Sequence, residues 1–334
     1  MILINDLQEQ SQSCRRVVLN FFQKKNKQYR LITRSDMDGL VCGVLLKELG
    51  IIEDVTFAHP KDMQDGLIDV SENDITTNLP YAEGVYMAFD HHASETKRME
   101  EKPDNHIIDA SAPSAARVVY DYFGGAEAFP NVGNDMMEAV DKADAARFSK
   151  DDILNPTGWE LLSFLMDSRT GLGRFRDFNI SNYQLMMKLI DQCRDHKTIE
   201  EILASPDVAE RVELYMEHQI KAREQIERCA KIYNKLVVLD FRKEETIWAA
   251  NRFIVYALFP QSNISMHVLW GKNKQNTVFA IGKSILNRTS KTNVGDLCLD
   301  YGGGGHNAAG TCQVENMQAE NKMREIIERI TADG

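Results

Sequence analysis

Five short apolar runs near the start of the chain, at residues 29–33, 55–58, 75–77, 85–89 and 106–108, are each separated from the next by polar or helical spacing. Helical patterns fall at 40–49, at 113–123, where Pro113 suits a first helical turn, and at 135–145. Residues 6–24 also read as a helix, with Leu7, Val17, Val18, Phe21 and Phe22 on one face. Strands that alternate with helices need crossover connections, which align the strands parallel and cover the sheet with helices on both faces. The expected fold is therefore α/β, with a parallel sheet in its first part.

The remainder of the chain reads as a helical stretch and then a second, smaller α/β domain. From 159 to about 235 the pattern is helical. Within it, residues 209–233 are charged, and Val212, Tyr215, Met216, Ile220, Ile226 and Ile232 make one apolar face. That stretch reads as a connector between domains, and equally as a solvated surface helix or a dimer contact. Apolar runs at 236–241, 253–259, 264–270 and 277–281 follow, then helical patterns at 294–299 and 319–330. A chain of 334 residues exceeds the usual size of one domain. The expected division is residues 1–195, a helical connector at 196–235, and a second domain at 236–334.

Composition narrows the function classes. With 43% hydrophobic and 27% charged residues the chain has an ordinary globular make-up, and no apolar run approaches the roughly 18 residues of a membrane span. No basic leader precedes the first residues, so a cytoplasmic location and no membrane partner are expected. Six cysteines are scattered without a Cys-x-x-Cys pair, a usage of reduced thiols rather than of a disulfide frame or structural zinc. A net charge of −11 argues against a long nucleic acid duplex as partner. A small anionic substrate remains compatible, because metal ions or a few Lys and Arg side chains reverse the field inside one cleft.

Three polar clusters stand at the ends of these elements. Asp90-His91-His92 follows the run 85–89, at the carboxyl edge of the expected sheet, where open α/β sheets place ligands. Carboxylate and imidazole together suit a divalent ion such as Mn²⁺. The run 29–33 leads into Arg34-Ser35-Asp36-Met37-Asp38-Gly39, in which Asp36 and Asp38, two apart, face the same side if the segment is extended. Near the C-terminus, Gly302-Gly303-Gly304-Gly305-His306 precedes Asn307-Ala308-Ala309-Gly310; four glycines permit positive φ, and their N–H groups can surround an anion.

In this order the three motifs resemble the DHH phosphoesterase superfamily with its DHH-associated C-terminal domain, in particular its exopolyphosphatase-like and nanoRNase-like members. The resemblance spans nearly the whole chain apart from the helical middle. It implies one or two Mn²⁺ ions (or Mg²⁺ or Co²⁺) at the strand ends, with Asp36 and Asp38 on different ions and His91 sharing the ion of Asp38. Asp90 would orient the histidines or act as a ligand, and His92 would touch substrate phosphate or serve as an acid. The last metal motif, an Asp at a helix end followed four residues on by Phe, matches Asp144 and Phe148, with Asp141 as the alternative.

Two positions depart from the pattern. Arg34 stands where many relatives carry His, and Asn78 aligns with a metal-bridging Asp, unless a shift of four residues puts Asp74 there. A guanidinium cannot ligate a metal, and an amide oxygen brings no charge, so Asn78 is at most a weak ligand. One ion site is then stripped to little more than Asp36, and the expectation is a chain that works with one metal, Arg34 neutralising phosphate where the missing ion would sit, or a poor catalyst. The glycine motif implies a substrate-holding loop of Gly303, Gly304, Gly305 and His306, with Arg288 the nearest fixed cation and Arg252 the second. Lys61 fits a solvated loop. The function implied is a metal-dependent phosphoesterase that hydrolyses phosphodiester or phosphoanhydride bonds of a short phosphorylated substrate: an oligonucleotide, a dinucleotide or a polyphosphate end. The alternative is a catalytically weakened nucleotide- or phosphate-binding protein with an incomplete metal pair.

Overall fold

The computed structural model describes residues 27–98, 101–175 and 177–334; the expected helix at 6–24 lies outside them. The chain divides into two compact units. One takes in the chain up to Arg147, Thr157–Ser168 and the stretch that ends at Val212, and the other takes in Phe148–Pro156, Arg169–Phe175 and Glu213–Gly334.

The first unit holds β1 (Tyr29–Thr33), α1 (Met37–Glu48), β2 (Ile52–Phe57), β3 (Asp74–Thr77), β4 (Met87–Asp90), β5 (His106–Ile108), α2 (Ala115–Phe123) and α3 (Asn134–Asp144). Its five strands are all parallel, in the order β2-β1-β3-β4-β5. Leu31 and Ile32 point to opposite faces of the sheet, and both are fully buried, so helices and loops cover both sides as expected. The strand order reverses between β1 and β3, which is where doubly wound sheets open a ligand crevice at their carboxyl edge.

Register decides which residues meet at that edge. Thr33 pairs with Thr77, Thr77 with Phe89, and Asp90 with Ile108. The next positions, Arg34, Asn78 and Asp90, therefore stand side by side at roughly the 4.8 Å spacing of adjacent strands. The row beneath is locked, because Thr77 Oγ1 donates to Thr33 Oγ1 at 2.7 Å and Thr33 Oγ1 to Thr77 O at 3.2 Å. Asp74 opens β3, three residues before its end, so it lies on the far edge of the sheet. There Arg30 Nε and Nη2 hold its carboxylate at 2.7 and 3.0 Å, and the Ser71 N–H reaches it at 2.6 Å. The four-residue shift that would put Asp74 in the crevice is excluded.

Two local expectations need correction. Pro113 is not in a first helical turn: Ser114 is the extended N-cap of α2, and its Oγ accepts from the Arg117 N–H. Asp36 and Asp38 do not share an extended segment. Asp36 is the N-cap of α1, with its side chain accepting from the Gly39 N–H, and Asp38 already lies in the first helical turn. An acceptor side chain ahead of an apolar run caps a helix more readily than it prolongs a strand.

After Gly158–Met166, α4 (Asn182–Arg194) packs on α1, where Lys47 Nζ meets Asp191 Oδ1 at 2.7 Å. The long helix α5 (Pro206–Cys229) ends earlier than its spacing suggests, and 230–233 form β6 (Ala230–Tyr233) instead. Asn234, at φ 54°, makes the tight turn into β7 (Leu236–Asp240), which pairs antiparallel with β6. The apolar run at 253–259 has the short helix Ile254–Leu258 as its core. β8 (Ile264–Trp270), β9 (Thr277–Lys283), α6 (Val294–Asp300), β10 (Gly304–His306), β11 (Ala309–Val314) and α7 (Ala319–Asp333) complete the second unit. Its six strands form a mixed sheet in the order β10-β11-β9-β8-β7-β6, with α6 and α7 contributing Val294, Leu297, Ile326 and Ile330 to its core. The chain is thus α/β throughout, as expected.

Candidate active site

The site is assembled from helix caps and strand ends. Asp38, 1% exposed, accepts from the backbone N–H groups of Ala115 at 3.0 Å and Ala116 at 2.7 Å. These are the first two residues of α2, so the positive end of that helix holds the carboxylate in place. β4 delivers Asp90 and His91, and His91 Nδ1 is 3.3 Å from Ala112 O. With Nδ1 thus directed to a carbonyl, Nε2 is the nitrogen turned toward Asp144 Oδ2, 2.9 Å away at the C-terminal end of α3. One ligand atom each from Asp38, His91 and Asp144 lie within 4.8 Å of one another. Three residues separated by most of the first unit therefore converge on one point.

Their proton equilibria show how strongly the charges are compressed. Burial, then the neighbouring Asp144 and Asp36 carboxylates, push the Asp38 carboxyl well above its usual range, against His91 and the Ala116 N–H. Burial lowers His91, but the hydrogen bond and charge of Asp144 prevail and raise it to about 9. Burial alone would raise Asp144; His91 reverses this and holds it below the ordinary carboxylate range, with His92 and Arg34 adding to the effect.

These residues fit a divalent cation. Two carboxylates and an imidazole are the donor set of Mn²⁺ and similar ions. Asp90 Oδ2 and Asn78 Oδ1 are buried atoms without a hydrogen-bond partner, and His91 Nε2 has only the close approach of Asp144. Buried polar atoms are rarely left so unless a water, an ion, strain or a catalytic role accounts for them, and here they gather around the carboxylate–imidazole cluster.

Asp36 is held differently. Its Oδ1 accepts from Asn78 Nδ2 at 3.3 Å and from the Gly39 N–H at 3.1 Å, and its Oδ2 pairs with Arg34 Nε at 3.2 Å. Asn78 adopts φ 54°, which asparagine tolerates better than most residues, and its N–H donates to Phe89 O at 3.1 Å. His92 Nδ1 lies 2.7 Å from Asp90 Oδ1, and its half-exposed ring is 4.4 Å from that of His91 between centroids. A Cβ on Gly39 would stand 1.9 Å from Arg34 O, so only glycine lets α1 begin this close to the strand end.

Asp141 is fully engaged elsewhere, accepting from Ser114 Oγ at 2.7 Å and from Arg117 Nη2 at 2.6 Å. It fixes the start of α2 and so, indirectly, Asp38. Sequence reasoning missed Ser114, Arg117 and the Ala112 carbonyl. The local signal for Ser114 was an N-cap residue ahead of an apolar run, but nothing local told that its helix points at Asp38.

In the second unit the glycines are needed for close packing. A Cβ on Gly303 would lie 2.1 Å from Thr311 O, and one on Gly305, at φ 156°, would lie 2.3 Å from Ala309 O. The Gly303 N–H donates to Cys298 O at 2.9 Å, whereas Gly304 borders open space. His306 is exposed, with Nδ1 accepting from the Ala308 N–H at 3.2 Å. Arg288 is exposed in the loop after β9, and its Nε donates to Ile285 O. Lys61, also exposed, pairs with Asp65.

A parallel sheet with a carboxylate–imidazole cluster at its switch point, joined in sequence to a glycine-motif unit, is the arrangement that the resemblance to DHH phosphoesterases implies. Neither a family model nor a curated protein matches the chain. Among solved structures it is 57% identical to PggH, a pGpG-specific phosphodiesterase of Vibrio cholerae, over 92% of this chain and 100% of that one, with a TM-score of 0.84. The chain belongs to the DHH phosphoesterase superfamily. It is a phosphohydrolase, as the sequence motifs imply. Two more distant structures share the fold: a DHH-domain member of the s1p family of ribosomal proteins (10% identity, 99% and 92% of the two chains, TM-score 0.59) and CDC45 of Entamoeba histolytica (8%, 96% and 99%, 0.53).

Proposed function

We propose that this protein is a metal-dependent phosphodiesterase that cleaves a short, linear, 5′-phosphorylated guanine dinucleotide. The observation that carries the reading is the 57% identity to a pGpG-specific phosphodiesterase over that protein's whole length. The cluster of Asp38, His91 and Asp144 supports it with a donor set for Mn²⁺, Mg²⁺ being the alternative. When bound there, the ion polarises a phosphoryl oxygen and assists the attacking water.

The chain's own residues divide the remaining work. Asp38, fixed by the α2 terminus, and Asp144 supply negative charge. Asp90 holds His92 Nδ1, which leaves Nε2 to meet the phosphate or to protonate the departing 3′-oxygen. Water oxygen bonds to phosphorus as the P–O3′ bond breaks, giving two 5′-mononucleotides. In the second unit Gly304, Gly305, His306 and Arg288 are the groups that the glycine motif assigns to a phosphorylated ligand. Among the described residues no helix is long and apolar enough to cross a membrane.

The test is turnover of pGpG with added Mn²⁺, followed by chromatography, beside pApA, a longer RNA and inorganic polyphosphate. Rapid conversion of pGpG to GMP with slow cleavage of the others is expected. Equal rates on pApA or longer RNA would refute the dinucleotide assignment, and no hydrolysis of any of them would refute the enzymatic one.

A further inference from the structure

One cation at the strand ends is part of the chain itself. Arg34 follows β1 directly, and its Nε lies 3.2 Å from Asp36 Oδ2 with the side chain one-third exposed. The same carboxylate receives Asn78 Nδ2 and the Gly39 N–H on its other oxygen. Both oxygens of Asp36 are thus directed to fixed donors, and Asp36 does not join Asp38, His91 and Asp144 in the three-ligand group. Asp90 Oδ1 is likewise bound to His92. Around the three-ligand point, Asp36 thus has both oxygens on an arginine, an asparagine and a backbone N–H, and Asp90 Oδ2 is the one remaining carboxylate oxygen of the pair without a hydrogen bond, too few donors for a second tightly held divalent ion.

Register brings Arg34 to the edge of the same crevice. Thr33 and Thr77 are paired across β1 and β3, so Arg34 rises beside Asn78 at the crevice edge. Its charge reaches Asp144, one of the three ligands. A guanidinium cannot be deprotonated here, and its planar donors match two phosphate oxygens at once. With Nε facing Asp36, its terminal nitrogens are the donors that such a contact would use.

We infer that the centre is built for one tightly held metal ion, on Asp38, His91 and Asp144, and that Arg34, positioned by Asp36 and Asn78, is the anchor for the substrate phosphate in place of a second ion. The inference rests on the phosphodiesterase reading above, but its test needs no turnover. Full-length protein is loaded with Mn²⁺, desalted, and its manganese counted by elemental analysis. One ion per chain, with the six-line EPR spectrum of an isolated Mn²⁺, is expected. Arg34→Gln should leave that count unchanged and weaken inorganic phosphate binding to the Mn²⁺-loaded protein by about tenfold, the loss of one charge-assisted contact. Arg34→Lys should recover part of it. Arg34→His with Asn78→Asp should raise the count toward two. Two tightly held ions in the unaltered protein, or a change in manganese count with phosphate affinity unmoved in Arg34→Gln, would overturn the inference. A protein that binds one Mn²⁺ and phosphate through Arg34 yet leaves pGpG intact would sustain this inference while refuting the substrate reading.

Discussion

His91 Nε2 stands 2.9 Å from Asp144 Oδ2, although one residue follows a strand and the other ends a helix on a distant part of the chain. The pair meets because β4 and α3 are both anchored to the start of α2. The Ala112 carbonyl just before it faces His91 Nδ1, and its N-cap Ser114 together with Arg117 holds Asp141 on α3.

A pH signature follows in the metal-free protein. Asp144 raises His91 from its ordinary 6.5 to about 9. A folded-state value above the unfolded one gives stability that is complete below about pH 6.5 and is lost as pH rises through about 9. The ring must also lose its proton to bind metal, so Mn²⁺ affinity should climb over the same window. Imidazole NMR of the metal-free protein should show His91 titrating last, and Asp144→Asn should return it toward 6.5. A His91 that titrates near 6.5 in the unaltered protein would break the pair.

Asp144 and Asp141 separate cleanly by mutation. Asp144→Ala removes one of the three clustered carboxylate and imidazole groups and should lower Mn²⁺ affinity at least about 100-fold. Asp141→Ala removes the acceptor of Ser114 and Arg117 and should lower stability by roughly 1–3 kcal/mol. Its Mn²⁺ affinity should fall much less. Isothermal titration and thermal melts on the two variants decide this, and the reverse pattern would move the metal assignment to Asp141.

Gly39→Ala forces a Cβ to within 1.9 Å of Arg34 O, a backbone atom that cannot swing aside. The start of α1 must shift, at about 1–3 kcal/mol as for other overpacked sites. Because Asp36 and Asp38 flank this turn, metal affinity should fall together with the melting temperature. Unchanged values of both would show that the turn is more adaptable than its contacts imply.

On the far edge of the sheet, burial would raise the Asp74 carboxyl, but Arg30 and Ser71 hold it below its usual range. A lowered folded-state value gives stability that is present above about pH 4 and lost as pH falls below it. Asp74→Asn should cost roughly 1–2 kcal/mol at neutral pH, given the partial exposure of Arg30, and flatten the acid limb of the stability curve. Urea melts from pH 3 to 7 measure it. An acid limb as steep as before would point to other carboxylates.

His306→Ala tests the second unit. Loss of its side chain should weaken dinucleotide binding about tenfold, the scale of one good hydrogen bond to a charged group, and leave Mn²⁺ binding unchanged. Equilibrium binding with Ca²⁺ in place of Mn²⁺ gives the first value. Collapse of metal affinity with substrate affinity intact would reverse the roles of the two units.

Much of this protein is a local consequence of its sequence. Alternating apolar runs and helical spacings are enough to make the first sheet parallel, since such strands can be joined only by crossovers. Asp90-His91-His92, Asp36-Met37-Asp38-Gly39 and the glycine run carry the family resemblance unaided. Turn chemistry was less legible: the apolar face of 209–233 runs without a break from α5 into β6, and only the left-handed Asn234 marks the hairpin. The reading of Asp36 and Asp38 as one extended pair failed at Asp38, because an N-cap and a strand end look alike until the next helix is placed.

What the tertiary structure alone decided is which groups face one another. Strand register set Arg34 beside Asn78 and sent Asp74 to the opposite edge, because a strand's two ends are equivalent in composition but not in position. The direction of α2 selected Asp38 as the carboxylate at a helix terminus, and α3 presented Asp144 to His91 while turning Asp141 toward Arg117. One helical turn separates those two aspartates, and spacing treats them alike. Only packing, which gives one an imidazole and the other a guanidinium, tells them apart.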